Sequence, residues 1–381
     1  MLIPRDKVVE VNRTHPVAGV RPTDFVCEPD GEVGFEQLIA DPRFSLYCFD
    51  SASNEAVFVE LSDPAAADAA PFYYQTQAEQ ARAVLRVPLE TFHEAADRIA
   101  KAPERMILIH SVGRCGSTLV SKVFASQPSV YSLSEPDDLT QLVQLHVGDG
   151  IELDWIRANL SSAIKWRWKP RTGAPAQHLA IKTRSEVLVL ADLIADCFPS
   201  SKHLFVYRDA IDWSKSVYQA WPADRDVYDP ETCRKIQQSW SNTLPIVGDY
   251  LRQGVALNAM ETRVQAWITC TEAYLSLREH GLAAFGLRYE DLNAHPADVL
   301  PEMLERCGVG NIDWGAVETV LSQDSQAGTV FDRAERKKNV RNLSDQMVVD
   351  VKRCIAARPK LLAPDVILPG TILPAPLMTE R

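Results

Sequence analysis

Between residues 105 and 290 the apolar positions fall into two alternating patterns. Short apolar runs at Met106–His110, Val130–Leu133, Leu179–Ile181, His203–Tyr207 and Ala283–Arg288 have the length of buried strands. The longer stretches between them carry helical spacing: Thr118–Ser126, Pro136–Val147 with Leu153–Ile164, Glu186–Cys197, and two long segments near Glu231–Leu251 and Thr262–Glu279. Repeated strand–helix alternation predicts an α/β fold, a parallel sheet of about five strands flanked by helices. Residues 1–100 follow a different pattern and read as an N-terminal extension. There Arg43–Phe49 and Glu55–Leu61 flank a short polar turn and predict a β-hairpin. Ser62–Pro71 reads as a linker, and residues 72–100 as two helical segments broken at Pro88. The expected division is an extension over 1–100, a main domain over 101–345 and a C-terminal tail over 346–381.

Charge narrows the classes of partner. In 381 residues, 51 acidic side chains against 40 basic ones leave a formal net charge of −11. Such a surface repels polyanions, so neither nucleic acid nor an anionic membrane is an expected partner. No stretch approaches the ~18 apolar residues of a membrane span, and the N-terminus lacks an apolar secretory core. The eight cysteines contain no C-x-x-C, and the eight histidines show no metal spacing such as H-E-x-x-H. A cytoplasmic protein without a metal site is expected.

In sheets of this kind ligands bind beyond the carboxyl ends of the strands. The first strand runs into His110-Ser-Val-Gly-Arg-Cys-Gly-Ser-Thr-Leu119, a glycine-containing turn that opens a helix and offers N–H groups to an anion. Taken alone it is equally a tight strand–helix turn. The nucleoside triphosphatase signature Gly-x4-Gly-Lys-Ser/Thr is not met, because the lysine is missing. The second strand ends in Ser132-Leu-Ser-Glu-Pro136, where Glu135 is either a helix-start carboxylate or a general base. The third ends in Ile181-Lys-Thr-Arg184, which puts Lys182 at the same edge. After the fourth, Arg208 ends the strand and Ser216 follows about two helical turns later. The fifth leads into Leu287-Arg-Tyr-Glu-Asp-Leu292.

These five junctions, in this order, resemble those of sulfotransferases that use 3′-phosphoadenosine 5′-phosphosulfate (PAPS). Within that family they are most similar to the bacterial branch that resembles tyrosylprotein sulfotransferases. Gly113-Arg-Cys-Gly-Ser-Thr118 resembles the 5′-phosphosulfate loop, Arg208 with Ser216 the 3′-phosphate pair, and Arg288-Tyr-Glu-Asp-Leu292 the Tyr-Glu-x-Leu motif. The resemblance implies a P-loop-type sheet. It makes Glu135 the catalytic base, with Lys182 and Arg114 as catalytic cations. Gly113, Arg114, Cys115, Gly116, Ser117, Thr118, Arg208, Ser216 and Tyr289 would hold the nucleotide. Asn339–Ser344 resembles the closing segment of that branch, and by its register Ser325 and Arg336 would approach the donor. The implied reaction moves a sulfuryl group from PAPS to a hydroxyl or amine and releases adenosine 3′,5′-bisphosphate (PAP), without metal. The resemblance covers about residues 105–345, and Cys115 departs from it by replacing the usual serine. A non-catalytic nucleotide-binding module on the same fold is the alternative, with a P-loop kinase behind it.

Three further features stand apart from these junctions. Ile164–Arg171 alternates basic and aromatic residues, but at this net charge it reads as a solvated helix end or a lid rather than a nucleic-acid contact. His110 lies on the first strand and reads as a packed histidine. Trp213, Tyr218, Trp221, Trp240 and Trp267 surround the helical excursion after the fourth strand, a place for an acceptor pocket.

Overall fold

A computed structural model describes residues 1–99, 105–169, 176–220, 227–327, 329, 340–361 and 363–374. The expected α/β unit is present. Strands β6 (Met106–Ser111), β7 (Val130–Ser134), β8 (His178–Lys182), β9 (Lys202–Tyr207) and β10 (Ala284–Arg288) form a five-stranded sheet in the order β10-β9-β6-β8-β7, every neighbour parallel. Alternate side chains of β6 enter opposite cores: Ile107 and Ile109 one, Met106 and Leu108 the other. A central parallel strand buried on both faces must read as an unbroken apolar run, and this one does. The chain leaves β6 for β7 and β8 on one side, then crosses to β9 and β10 on the other. The crevice therefore opens at the carboxyl end of β6.

The N-terminal region holds more structure than a hairpin. Strands β1 (Leu2–Val11), β2 (Phe25–Gly34), β3 (Phe44–Asp50), β4 (Glu55–Leu61) and β5 (Ala81–Pro88) make an antiparallel sheet in the order β2-β1-β5-β4-β3. The hairpin of β3 and β4 is as expected, but two readings need correction. Ser62–Pro71 is no bare linker: Pro64–Ala69 is helical, capped by the Asp63 carboxylate accepting from Ala66 N. Residues 81–88 form a strand where a helix was expected. Their Ala, Leu and Arg favour helix, but Ala83, Leu85 and Val87 are buried and β5 pairs with both β1 and β4. Tertiary pairing overrides local propensity there. The long helix expected near 231–251 is likewise two, Pro230–Ser241 and Pro245–Arg252, split where Pro245 cannot continue a helix.

The two sheets share a core. Phe49, Phe58 and Phe92 of the N-terminal region pack with Trp166, Leu139 and Leu142 of the parallel-sheet unit, and Phe58 meets Trp166 edge-on at 4.8 Å. The helix Asp345–Ala356 joins the core on the other side of the parallel sheet through Met347, Val351 and Ile355, packed on the helices Ala259–Glu279 and Ala210–Ala220. No helix of the described residues is long and apolar enough to cross a membrane.

Strand β3 is a sheet edge, and unpaired edges invite wrong pairing. Gln141 blunts it: its amide donates to Phe49 O and accepts from Phe49 N, both at 2.7 Å. Gln141→Ala strands both buried backbone groups. Urea denaturation should show a loss of about 2–3 kcal/mol, whereas an ornamental contact would leave the midpoint in place.

Candidate active site

The turn after β6 is built from left-handed residues. Gly113, Arg114 and Gly116 have φ of 70°, 53° and 84°, a succession that points consecutive N–H groups into a common concavity. For a non-glycine residue such as Arg114 this costs roughly 1–2 kcal/mol, so neighbours must hold the loop. Trp213 Nε1 donates to the carbonyls of Val112 and Gly113, each at 2.9 Å, and Gly113 N donates to Ser111 Oγ at 3.2 Å. Cys115 turns away from the crevice and its thiol donates to Val206 O at 3.1 Å. It is fully buried, which pushes the thiol up to about 11. The Cys115 side chain is thus bonded to the neighbouring strand β9. Gly116 is required sterically as well: a Cβ there would lie 2.7 Å from Tyr289 Cδ2.

Beside the loop, the ends of β7 and β8 are locked together. Glu135 N donates to Lys182 O at 2.6 Å, and the Lys182 ammonium donates to Glu135 Oε1. Their side chains are only 12% and 4% exposed. Glu135 has φ of 59°, and the following Pro136 disfavours the right-handed helical region for it. Two residues on, Asp137 accepts from Val20 N at 3.0 Å and from Arg184 Nη1 at 3.2 Å. Burial pushes Asp137 up to about 6 against the opposing pull of Arg184.

On the other side of the loop, Arg208 ends β9 with its guanidinium 4.8 Å from the centre of the Tyr289 ring. Trp267 Nε1 holds the Arg208 carbonyl at 3.0 Å. Among the described residues the Arg208 side chain has only long ion pairs, 3.7 Å to Asp212 and 3.8 Å to Glu290, and its buried Nε lacks a hydrogen-bond partner.

All of this surrounds a single cavity of about 1150 Å³. Gly113–Thr118, Glu135, Lys182, Arg208, Ser216, Tyr289 and Ser325 all line it. Arg114 Nη1 lies 3.5 Å from Gln326 Oε1, which connects the loop to the segment bearing Ser325. Arg336 lies outside the described residues, as does Trp221 of the aromatic group. Trp213 and Trp240 line the cavity, whereas Trp267 is fully buried. What the sequence reading missed is the opposite wall, where Val17–Pro22, Phe49, Phe72 and Tyr74 of the N-terminal region also face the cavity. No motif marks these residues. The space exceeds the ~300–1000 Å³ of a usual small-molecule pocket, enough for more than one ligand.

His110 takes no part. It is buried on β6, its Nε2 3.1 Å from His203 Nδ1 with the rings stacked. Burial holds His203 down to about 4, and burial with the His203 neighbour holds His110 well below the usual histidine value. Among the described residues no cluster of His, Cys, Asp or Glu is arranged to hold a metal ion.

Solved structures that this chain matches include sulfotransferases and a retinol dehydratase. A sulfotransferase from Mycobacterium tuberculosis H37Rv matches at 14% identity and a TM-score of 0.39, over 71% of this chain and 82% of that one. A sulfotransferase from Alicyclobacillus acidocaldarius matches at 14% and 0.39, over 68% and 96%. Retinol dehydratase in complex with androsterone and the inactive cofactor PAP matches at 11% and 0.31, over 75% and 89%. No protein-family model matches the chain, and no curated protein resembles it at a significant level. Likeness at these values assigns no chemistry.

The histidine pair generates a pH test. His203 is depressed on folding, so the unfolded chain binds more protons below about pH 6.5, and the stability tied to the neutral ring is lost as pH falls toward 4. Against His203→Asn, the wild-type protein should lose on the order of 3 kcal/mol of relative stability over that window. Urea melts of both proteins at pH 7.5, 6, 5 and 4 measure the difference, and parallel curves would contradict it.

Proposed function

We propose that the protein is a PAPS-dependent sulfotransferase that moves a sulfuryl group to a hydroxyl or amine and releases PAP. One observation carries this reading: the order of groups along the carboxyl edge of the parallel sheet. From β10 to β7 it runs Tyr289, Arg208, the Gly113–Thr118 loop, Lys182, Glu135. An anion-binding pair, a phosphosulfate cradle, a cation and a base stand in the sequence in which an in-line transfer needs them.

The donor set fits a bis-anionic nucleotide. Arg208, whose buried Nε has no hydrogen-bond partner among the described residues, and Ser216 would grip the 3′-phosphate, with the Tyr289 ring beside them. The loop N–H groups, the start of the helix Ser117–Ala125 and Arg114 would hold the 5′-phosphosulfate. Lys182 would exchange its bond with Glu135 for one to the transferring group, stabilising charge that grows on the leaving phosphate. That exchange frees the Glu135 carboxylate to take the acceptor proton. The grip on the 3′-phosphate orients the donor without itself lowering the chemical barrier.

A non-catalytic module on the same fold has no need of a buried Glu–Lys pair with strained backbone, because such strain persists only where the surroundings enforce it. A kinase reading lacks the loop lysine of the nucleoside triphosphatase signature.

Two measurements bear on the proposal. Calorimetry should show PAP binding about ten- to a hundredfold tighter than the analogue without the 3′-phosphate, as expected for 1.5–3 kcal/mol in charge-assisted bonds; equal affinities would remove the roles of Arg208 and Ser216. Glu135→Gln keeps the size but cannot accept the proton, so turnover should fall about 10²–10⁴-fold. PAP affinity in that variant should hold or rise slightly, because one negative charge near the phosphates is gone and Lys182 is released. A variant with full turnover would return Glu135 to a helix-start carboxylate.

A further inference from the structure

We infer that the N-terminal region builds the acceptor side of this cavity, and that the segment Val17–Pro22 selects the acceptor. The inference rests on the sulfotransferase reading and extends it to a part of the chain with no counterpart in the motifs.

The argument is one of position. Along the sheet edge the nucleotide-side groups, Tyr289 and Arg208, lie on the β9–β10 side of the loop. Lys182 and Glu135 lie on the β8–β7 side. A group attacked in line has the leaving nucleotide behind it, so the acceptor must enter from beyond Glu135. What lies beyond β7 is the N-terminal region. Tyr131 of β7 donates to Asp68 at 3.0 Å, and Ser134 donates to the Pro71 carbonyl at 2.7 Å. The Lys182 ammonium is 6.0 Å from the centre of the Phe72 ring.

Val17–Pro22 is fastened at this spot by side chains adjacent to the reacting pair. Asp137, two residues after Glu135, accepts from Val20 N at 3.0 Å. Arg184, two residues after Lys182, reaches Val17 O at 3.4 Å and Asp137 Oδ1 at 3.2 Å. From behind, Arg13 donates to Asp24 at 2.9 Å, to Tyr47 Oη at 2.6 Å and to Ala18 O. The segment is thus a rigid wall registered on Glu135 and Lys182. Val17, Ala18 and Arg21 of this wall line the cavity without belonging to the fastening side chains. They can change shape and charge at the acceptor while the catalytic pair stays in place, which is what a specificity element requires.

The test uses the full chain with ³⁵S-labelled PAPS and the small-molecule fraction of its own cells. Two variants probe the wall: Ala18→Trp narrows it, and Arg21→Glu reverses an exposed charge. Both should keep the wild-type melting temperature and PAP affinity. Labelling of the wild-type product should fall at least about tenfold in one or both, the scale on which a pocket discriminates by shape. Wild-type labelling by two folded, PAP-binding variants would overturn the inference while leaving the sulfotransferase reading intact. If the wild-type protein binds no PAP, or binds it and labels nothing, the sulfotransferase reading itself fails. If Ala18→Trp does not fold, Arg21→Glu alone decides.

Discussion

The site turns on one interaction, the ion pair of Glu135 and Lys182 across the ends of two neighbouring strands. Both side chains are almost withdrawn from water, and burying two charges is favourable only when each has a partner at short range. The pair is held by the backbone too, since the Glu135 N–H bonds to the Lys182 carbonyl. A carboxylate in a left-handed conformation before a proline is an expensive arrangement for mere sheet closure. It sets both groups in the lining of the cavity.

Charge around the cavity runs against that of the whole molecule. A chain of net charge −11 concentrates Arg114, Lys182, Arg184 and Arg208 at or beside one crevice. Low-dielectric walls strengthen such a field and draw anions toward it, while the acidic exterior turns polyanions away. A small multivalent anion satisfies both conditions. An extended nucleic acid satisfies only the first.

The parallel sheet was legible because its strands are buried on both faces and therefore appear as apolar runs at fixed intervals. The candidate site was legible only in combination: Arg114, Glu135, Lys182 and Arg208 each follow a strand of this sheet, and their order along the chain, rather than any one of them, drew the resemblance; all four line the same cavity. The N-terminal sheet was not. Strands β1 and β2 are charged and largely exposed, and Pro4 and Pro29 interrupt their pattern. β5 has helix-forming composition and becomes a strand only because β1 and β4 flank it. The far wall of the cavity was hidden for a related reason: Val17–Pro22 is fastened through backbone groups, the Val20 N–H and the Val17 carbonyl, which almost any residue would supply.

The shared core has a consequence for how the chain is made. The Ala56 and Phe58 face of β4 packs against residues from Leu139 to Trp166, and the β3 edge stays open until Gln141 arrives. During synthesis the first hundred residues leave the ribosome well before those partners, a delay of several seconds at about 5–20 residues per second. Over that interval the N-terminal sheet has one apolar face uncovered, and both its edges, β2 and β3, are open. These residues are made before the partners that complete their core. On the β2 edge the exposed charges and Pro29 then oppose pairing of a half-built sheet with its neighbours.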